Sequence, residues 1–310
     1  MMSKLQASDK RPRQLSFSSG SRLRAGAAIL LLCAGFARCG AAKADAAEPP
    51  HLRSEALAAF DHYVELTEAR NEEELRKGAP FFWIDDLPGA ERAAAYAELR
   101  RGSVKIERRE TRENGRAIPC KGGLIHHWIG VIFVPGATLS ETLALLEDYD
   151  HHASYYAPDV ERSRIESRDA EHFRVFLRFR RHKVITVVLN TQHDVRYFHD
   201  SPARAHSRSS AVRIAEVENA GKSDEREKPP GEDGGFLWKM ETWWRMEERD
   251  GGTYVQSESV SLTRDIPPVL AWLIGSFVTS IPRESLTFTL EATRRGVETR
   301  RNAAANVARH

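Results

Sequence analysis

The segment LEDYDHHASYYAPDV, residues 146–160, concentrates side chains that could do chemistry. Asp148 and Asp150 precede the pair His151 and His152, and Tyr155 and Tyr156 follow. Carboxylates and imidazoles at this density could hold a divalent metal or relay a proton. A metal, however, needs several ligands converging on one point. Neighbours on a helix point about 100° apart, and neighbours on a strand point to opposite faces. His151 and His152 are therefore badly spaced to share an ion, and so are His126 and His127. His-Glu-x-x-His, Cys-x-x-Cys and EF-hand spacings do not occur. The expectation is no metal and no cofactor, with Asp148 and Asp150 at a solvated helix end, where acids oppose the helix dipole.

Other signatures fail in the same way. Ala220–Ser223, AGKS, resembles the tail of a phosphate loop, but Glu216 stands where the leading glycine belongs. Neither the dinucleotide fingerprint nor the hydrolase elbow occurs. Of three cysteines, only Cys120 lies outside the first 44 residues, so neither an internal disulfide nor a cysteine-rich metal site is expected there.

Those first residues differ from the rest. Six basic side chains up to Arg24 precede the apolar run Ala25–Phe36, and small residues follow at Ala42, Ala44 and Ala46. That is the layout of a cleaved secretory signal, residues 1–44, with an uncleaved anchor as the rival. The expected location is periplasmic or secreted. The remaining chain carries 38 basic and 43 acidic residues, a net of −5. A mildly acidic body has no electrostatic footprint for nucleic acid.

The elements that must position any site follow from periodicity. Helical spacing is expected over 51–77 and 88–101, making 45–102 an N-terminal helical segment. Val104 and Ile106 alternate with charges in a first strand, and Leu124–Val134 forms a second. Thr138 and Glu141 have the spacing of a capping box for the next helix. Strand alternation then dominates to about residue 262, with a hairpin turn at RDGG, 249–252. From Ile266 the helical period returns, with Pro282 early in a final helix. The main domain is 103–296, and 297–310 is expected to fray as a basic tail. Strands segregated from helices give an α+β class with an antiparallel sheet, one face dry and one wet.

Aromatic residues crowd one strand. Trp238, Met240, Thr242, Trp244 and Met246 are expected on one face, and such stripes are mostly core. A curved sheet closed by one helix can also enclose an apolar pocket with a few polar groups. The candidate ligand-binding residues are Phe179, Leu189, Trp238, Met240, Trp244, Leu286 and Leu290, with Arg245 or Glu258 orienting a polar head. Arg213 is a further polar candidate.

The segments HHWIGVIFVPGATL, LEDYDHHASYYAPDVERSRI, GFLWKMETWWRMEERDGGTYVQSESVSLTRDIP and SIPRESLTFTLEATRR resemble the START-like helix-grip (SRPBCC) superfamily. The likeness covers about 123–295 and is closest in kind to exported, polyketide cyclase/dehydrase-like bacterial members of unassigned activity. It implies a curved antiparallel sheet gripping a long C-terminal helix. It also implies that Tyr156, Pro158, Val160 and Ser163 mark a helix-to-strand corner at the mouth of a cavity. The expected function is non-catalytic binding or carriage of a lipid or other hydrophobic small molecule, with transient membrane contact left open. A cyclase-type enzyme is the alternative, with Glu258, Asp150 or a nearby histidine as acid or base. An interaction module with a filled cavity, docking through its N-terminal helices, is the third.

Overall fold

Two periodicities divide the chain, and each residue range takes the element its period dictates. A computed structural model describes residues 52–182, 185–265 and 268–307, and for 268–279 the backbone alone. The export segment expected at 1–44 lies outside the described residues.

Helix α1 (Ser54–Lys77) ends at Gly78, whose φ of 71° lets its N–H reach back to Glu74 and Leu75. A single 3-10 turn (Trp83–Asp86) leads into α2 (Gly89–Arg100). Strand β1 (Lys105–Arg108) follows, then the two-residue strands β2 (Arg112–Glu113) and β3 (Arg116–Ala117). Strand β4 (Gly123–Pro135) runs into α3 (Leu139–Leu146), where Thr138 and Glu141 form the expected capping box. A 3-10 turn (Tyr149–His151) and the short α4 (His152–Tyr155) turn the corner. Next come β5 (Val160–Asp169), β6 (His172–His182), β7 (Thr186–Ser201), β8 (Arg204–Glu218) and the short β9 (Arg226–Glu227). Strands β10 (Lys239–Arg249) and β11 (Gly252–Arg264) meet in a hairpin with Arg249 opposite Gly252. Asp250 and Gly251 both have positive φ, 57° and 75°, as a two-residue hairpin turn requires. Helix α5 (Pro268–Val307) completes the chain.

The long strands form one antiparallel sheet in the order β1-β4-β11-β10-β8-β7-β6-β5, open at both edges. Register shifts between β5 and β6 and between β7 and β8, at Gln192/His193, bend it. Helix α5 lies in the concave face, where Leu286, Leu290, Ala292 and Val297 join Ile132, Val134, Met246 and Val255 in the largest core. Gly130 allows this approach, because a Cβ there would fall against the side chains of Ile106 and Leu290. The convex face is covered by α1, the 3-10 turn at 83–86 and α2 through two further cores, one around Phe60, Trp243 and Val260, the other around Phe82, Phe133 and Tyr254. Among the described residues no helix is long and apolar enough to cross a membrane.

This is the α+β helix-grip arrangement expected from the sequence, with two corrections in the C-terminal region. The helix runs through Pro282 as one element instead of starting near it. It also continues to Val307 instead of fraying after 296. Val297 is fully buried, Arg300 donates to Tyr155 and Asp148, and Arg301 donates to the Pro135 carbonyl, so the last turns are held by tertiary contacts.

Candidate functional site

The segment at 146–160 is the corner that joins α3 to β5. Asp148 accepts from Tyr155 (2.7 Å), Arg300 and His151, and Asp150 accepts the backbone N–H of Ile165 (2.8 Å). His152 is buried with Nε2 at the carbonyls of Leu145 and Leu146, whereas the His151 side chain is 67% exposed. The two imidazoles diverge. Among the described residues no three His, Cys, Asp or Glu side chains converge as a metal site would need.

The concave face has two zones. Near α3 it is filled. Tyr149 and Tyr197 share a hydroxyl contact of 2.8 Å, Tyr156 meets Thr293 at 3.0 Å, and apolar side chains pack around them. Burial without charge partners pushes the Tyr156 phenol up to about 12, so these hydroxyls stay neutral.

The second zone is a stripe of hydroxyls. Alternation along β11 places Ser257, Ser259 and Ser261 on the concave face, and register places Thr242 and Ser209 across from Ser259. Ser207 lies across from Trp244, which itself faces Ser257. Ser207, Thr242, Ser257 and Ser261 are 1–9% exposed. Among the described residues their hydroxyls have no hydrogen-bond partner. None of the four oxygens is among the fully buried atoms left without a partner, so each is open to a partner from outside.

Beside the stripe stand two histidines. His193, at the β7/β8 register shift, sits 2.9 Å from Thr191 Oγ1 through Nε2 and 3.4 Å from Ser209 Oγ through Nδ1. His126 Nε2 is 3.0 Å from Thr263 Oγ1. Burial lowers both imidazoles to about 4, so both are neutral at pH 7. Half-buried apolar side chains frame the stripe: Trp128, Leu177, Phe179 and Trp244 belong to the concave cluster, with Phe288 from α5.

The convex face holds a different polar system. Glu258, 1% exposed, accepts from His127 Nε2 at 2.6 Å, Asn71 Nδ2 at 3.1 Å and Arg70. Tyr63 O–H donates to His127 Nδ1 at 2.8 Å and accepts the N–H of Thr111 at 2.7 Å. That chain fixes His127 as a neutral imidazole with its proton on Nε2. Desolvation lowers its pKa, and the hydrogen bond from His127 with the Arg70 charge holds the Glu258 carboxyl well below its usual range despite burial. Arg245 spans α1 and the following loop, donating to Asn71 Oδ1 (2.5 Å), Glu74 (2.7 Å) and the Phe81 carbonyl (2.9 Å).

The structure separates the candidates named from sequence. Phe179, Trp244, Leu286 and Leu290 belong to the concave cluster. Met240 shares the face of Trp244 by alternation, and Leu189 pairs with Phe179, both half-buried. Arg245 and Glu258 require correction: they point to the convex side and cannot orient a head group beside Trp244. Arg245 lies between Trp244 and Met246, and Glu258 between Ser257 and Ser259, so strand alternation turns both away. Trp238 also leaves the expected stripe. It precedes β10, donates to Asp233 at 2.8 Å and packs with the convex cluster of Phe60 and Val260. Arg213 pairs with Glu227 at the surface. The hydroxyl stripe was missed, although the serine at every second position in QSESVSL, 256–262, was its signal.

No family model matches this chain, and no curated protein does. Solved structures of similar shape include a STAR-related lipid transfer protein from Xanthomonas axonopodis, 15% identical over 62% of this chain and 98% of that one, with TM-score 0.39. The Zhui aromatase/cyclase from Streptomyces sp. R1128 is 15% identical over 58% and 98%, with TM-score 0.38. Human STARD10 is 8% identical over 71% and 85%, with TM-score 0.40. These likenesses are too distant to transfer a function. An antiparallel sheet gripping a long C-terminal helix is visible in the chain's own strand order and core.

Proposed function

We propose that this protein binds or carries a lipid or other hydrophobic small molecule between the concave sheet face and α5. The observation that carries this is the hydroxyl stripe framed by half-buried Trp128, Phe179, Trp244 and Phe288. Apolar walls supply affinity, at about 0.8 kcal/mol for each CH₂ buried, and the hydroxyls supply orientation. The cyclase alternative loses its first acid–base candidate, since Glu258 serves the opposite face. Export through residues 1–44 is part of the same proposal, supported by the basic, apolar, then small-residue layout.

Native mass spectrometry of the full chain purified from a bacterial host, followed by solvent extraction, tests the binding. The expected result is a co-purifying apolar mass, or uptake of N-phenyl-1-naphthylamine by the extracted protein. Ser257→Trp, which places a large ring on the stripe, is expected to lower that uptake at least about tenfold, by steric exclusion from an otherwise well-packed interior. An extracted protein that takes up no apolar probe overturns the proposal.

A further inference from the structure

The distribution of charge across the sheet narrows the kind of ligand, on the basis of the binding function proposed above. Among the described residues, four acidic or basic side chains are at least nine-tenths buried: Arg178, Arg245, Glu247 and Glu258. All four occupy positions that alternate with concave residues, and their partners are Glu161 and Glu225, Glu74, Arg204, and Arg70 respectively. The concave stripe carries none of them. Its polar groups are serine and threonine hydroxyls and the neutral imidazoles of His193 and His126, with the exposed Arg108, paired across from Trp128, at the His126 end. The sequence 268–282, the first part of α5, contains no Asp, Glu, Lys, Arg or His. The charges at the neighbouring end of β6, Arg181 and Asp159, pair with each other at 2.7 Å, and Arg181 also donates to Ser285 on α5.

We infer that the ligand is an apolar molecule whose polar groups are uncharged: an alcohol or ketone, in preference to a carboxylate, phosphate or amine. A charged head among Ser207, Thr242, Ser257 and Ser259, away from Arg108 at the His126 end, would lose its water without gaining a counter-ion, which costs far more than burying a hydroxyl that finds a partner. A hydroxyl or carbonyl head meets groups that donate and accept in turn. The stripe is also extended. Ser257, Ser259 and Ser261 repeat at about 6.8 Å along β11, twice the rise per residue. Ser209, Thr242 and Ser259 run across the sheet by register. Such a grid favours a molecule oxygenated at more than one position over one with a single terminal head.

The test uses the full chain and four twelve-carbon probes at pH 7.5: dodecan-1-ol, dodecane, dodecanoate and dodecylammonium, each titrated against bound N-phenyl-1-naphthylamine. The expected order places dodecan-1-ol first, tighter than either charged probe by about tenfold or more, the usual scale for an unpaired charge. The double variant Thr242→Val with Ser259→Ala is expected to narrow the gap between dodecan-1-ol and dodecane. If dodecanoate or dodecylammonium binds as tightly as the alcohol, the head-group inference fails while the cavity stands. If alcohol and alkane bind equally, the inference fails in the same way. If none of the four displaces the dye and the dye itself does not bind, the cavity fails and the inference with it.

Discussion

The two faces of the sheet spend their polar residues in opposite ways. On the convex face, polar side chains bind one another and tie α1 to the strands: Glu258 with Arg70, Asn71 and His127, and Arg245 with Asn71 and Glu74. On the concave face, Ser207, Thr242, Ser257 and Ser261 are 1–9% exposed and make no hydrogen bond among the described residues, yet none of their oxygens is a fully buried atom without a partner. Deep burial of a charge is therefore a poor guide to the ligand site here. Under the proposed binding function, the charged face is scaffold and the neutral face is the one that meets the ligand. A groove of about 600 Å³ between α1 and the outer side of β7 and β8 fits the same division. Arg208 there pairs with Glu68 and Glu241, and Arg196 with Asp194.

The largest expected effect breaks the convex network. Glu258→Ala leaves the buried His127 and the partly exposed Arg70 without their carboxylate, and because Arg70 keeps 30% of its side chain in solvent the loss should fall toward the lower end of the about 3–5 kcal/mol typical of a broken buried pair. The urea midpoint should fall accordingly. Ligand uptake per folded molecule should be retained, because Glu258 does not face the stripe. A variant as stable as the parent would show that α1 is not held by this pair.

The second effect is in pH. His193 titrates near 4 in the folded protein, below its ordinary value of 6.5, because burial disfavours its charge. Between those values the unfolded chain takes up a proton that the folded chain refuses. Stability is therefore full above pH 6.5 and falls as pH drops toward 4, by on the order of 2–3 kcal/mol for this group. His126 and His152 shift in the same direction, also to about 4. Glu258 acts lower. Its folded carboxyl is held below 4.5, so its contribution is present above that value and is lost as pH falls further. Urea titrations of the parent from pH 7 to 4.5 should show the histidine loss, and His193→Gln should flatten it. An unchanged slope in the variant would count against His193 as a buried neutral group.

Much of this architecture can be seen in the sequence because it rests on local rules. The capping box at Thr138, the RDGG hairpin and the period-two strands each depend on residues close in the chain. The faces are harder. Trp244 and Arg245 are neighbours, so alternation alone assigns them to opposite sides, yet their chemistry suggests one pocket. Which side α5 covers depends on packing between distant segments, as at Gly130 and Leu290. The role of α1 was likewise hidden, since the partners of Glu258 lie 188 and 187 residues away at Arg70 and Asn71. The Trp238 error has a plainer cause: alternation was extended one residue beyond the start of β10.

The smallest expected effect compares two buried threonines directly. Thr67 on α1 bonds the Tyr63 carbonyl at 2.8 Å and Thr111 Oγ1 at 2.6 Å. Thr67→Val removes those bonds and strands the Thr111 hydroxyl, so a loss of about 1–3 kcal/mol is expected. Thr242, 9% exposed on the concave stripe, makes no such bond among the described residues. Thr242→Val replaces an unmet hydroxyl with a methyl of similar shape, and the ligand-free protein should keep its midpoint within about 0.5 kcal/mol or gain slightly. Urea unfolding of both variants, after solvent extraction, measures the difference. If Thr242→Val destabilises as much as Thr67→Val, the Thr242 hydroxyl is bonded inside the protein. The contrast between the tied convex network and the open concave stripe then fails at Thr242.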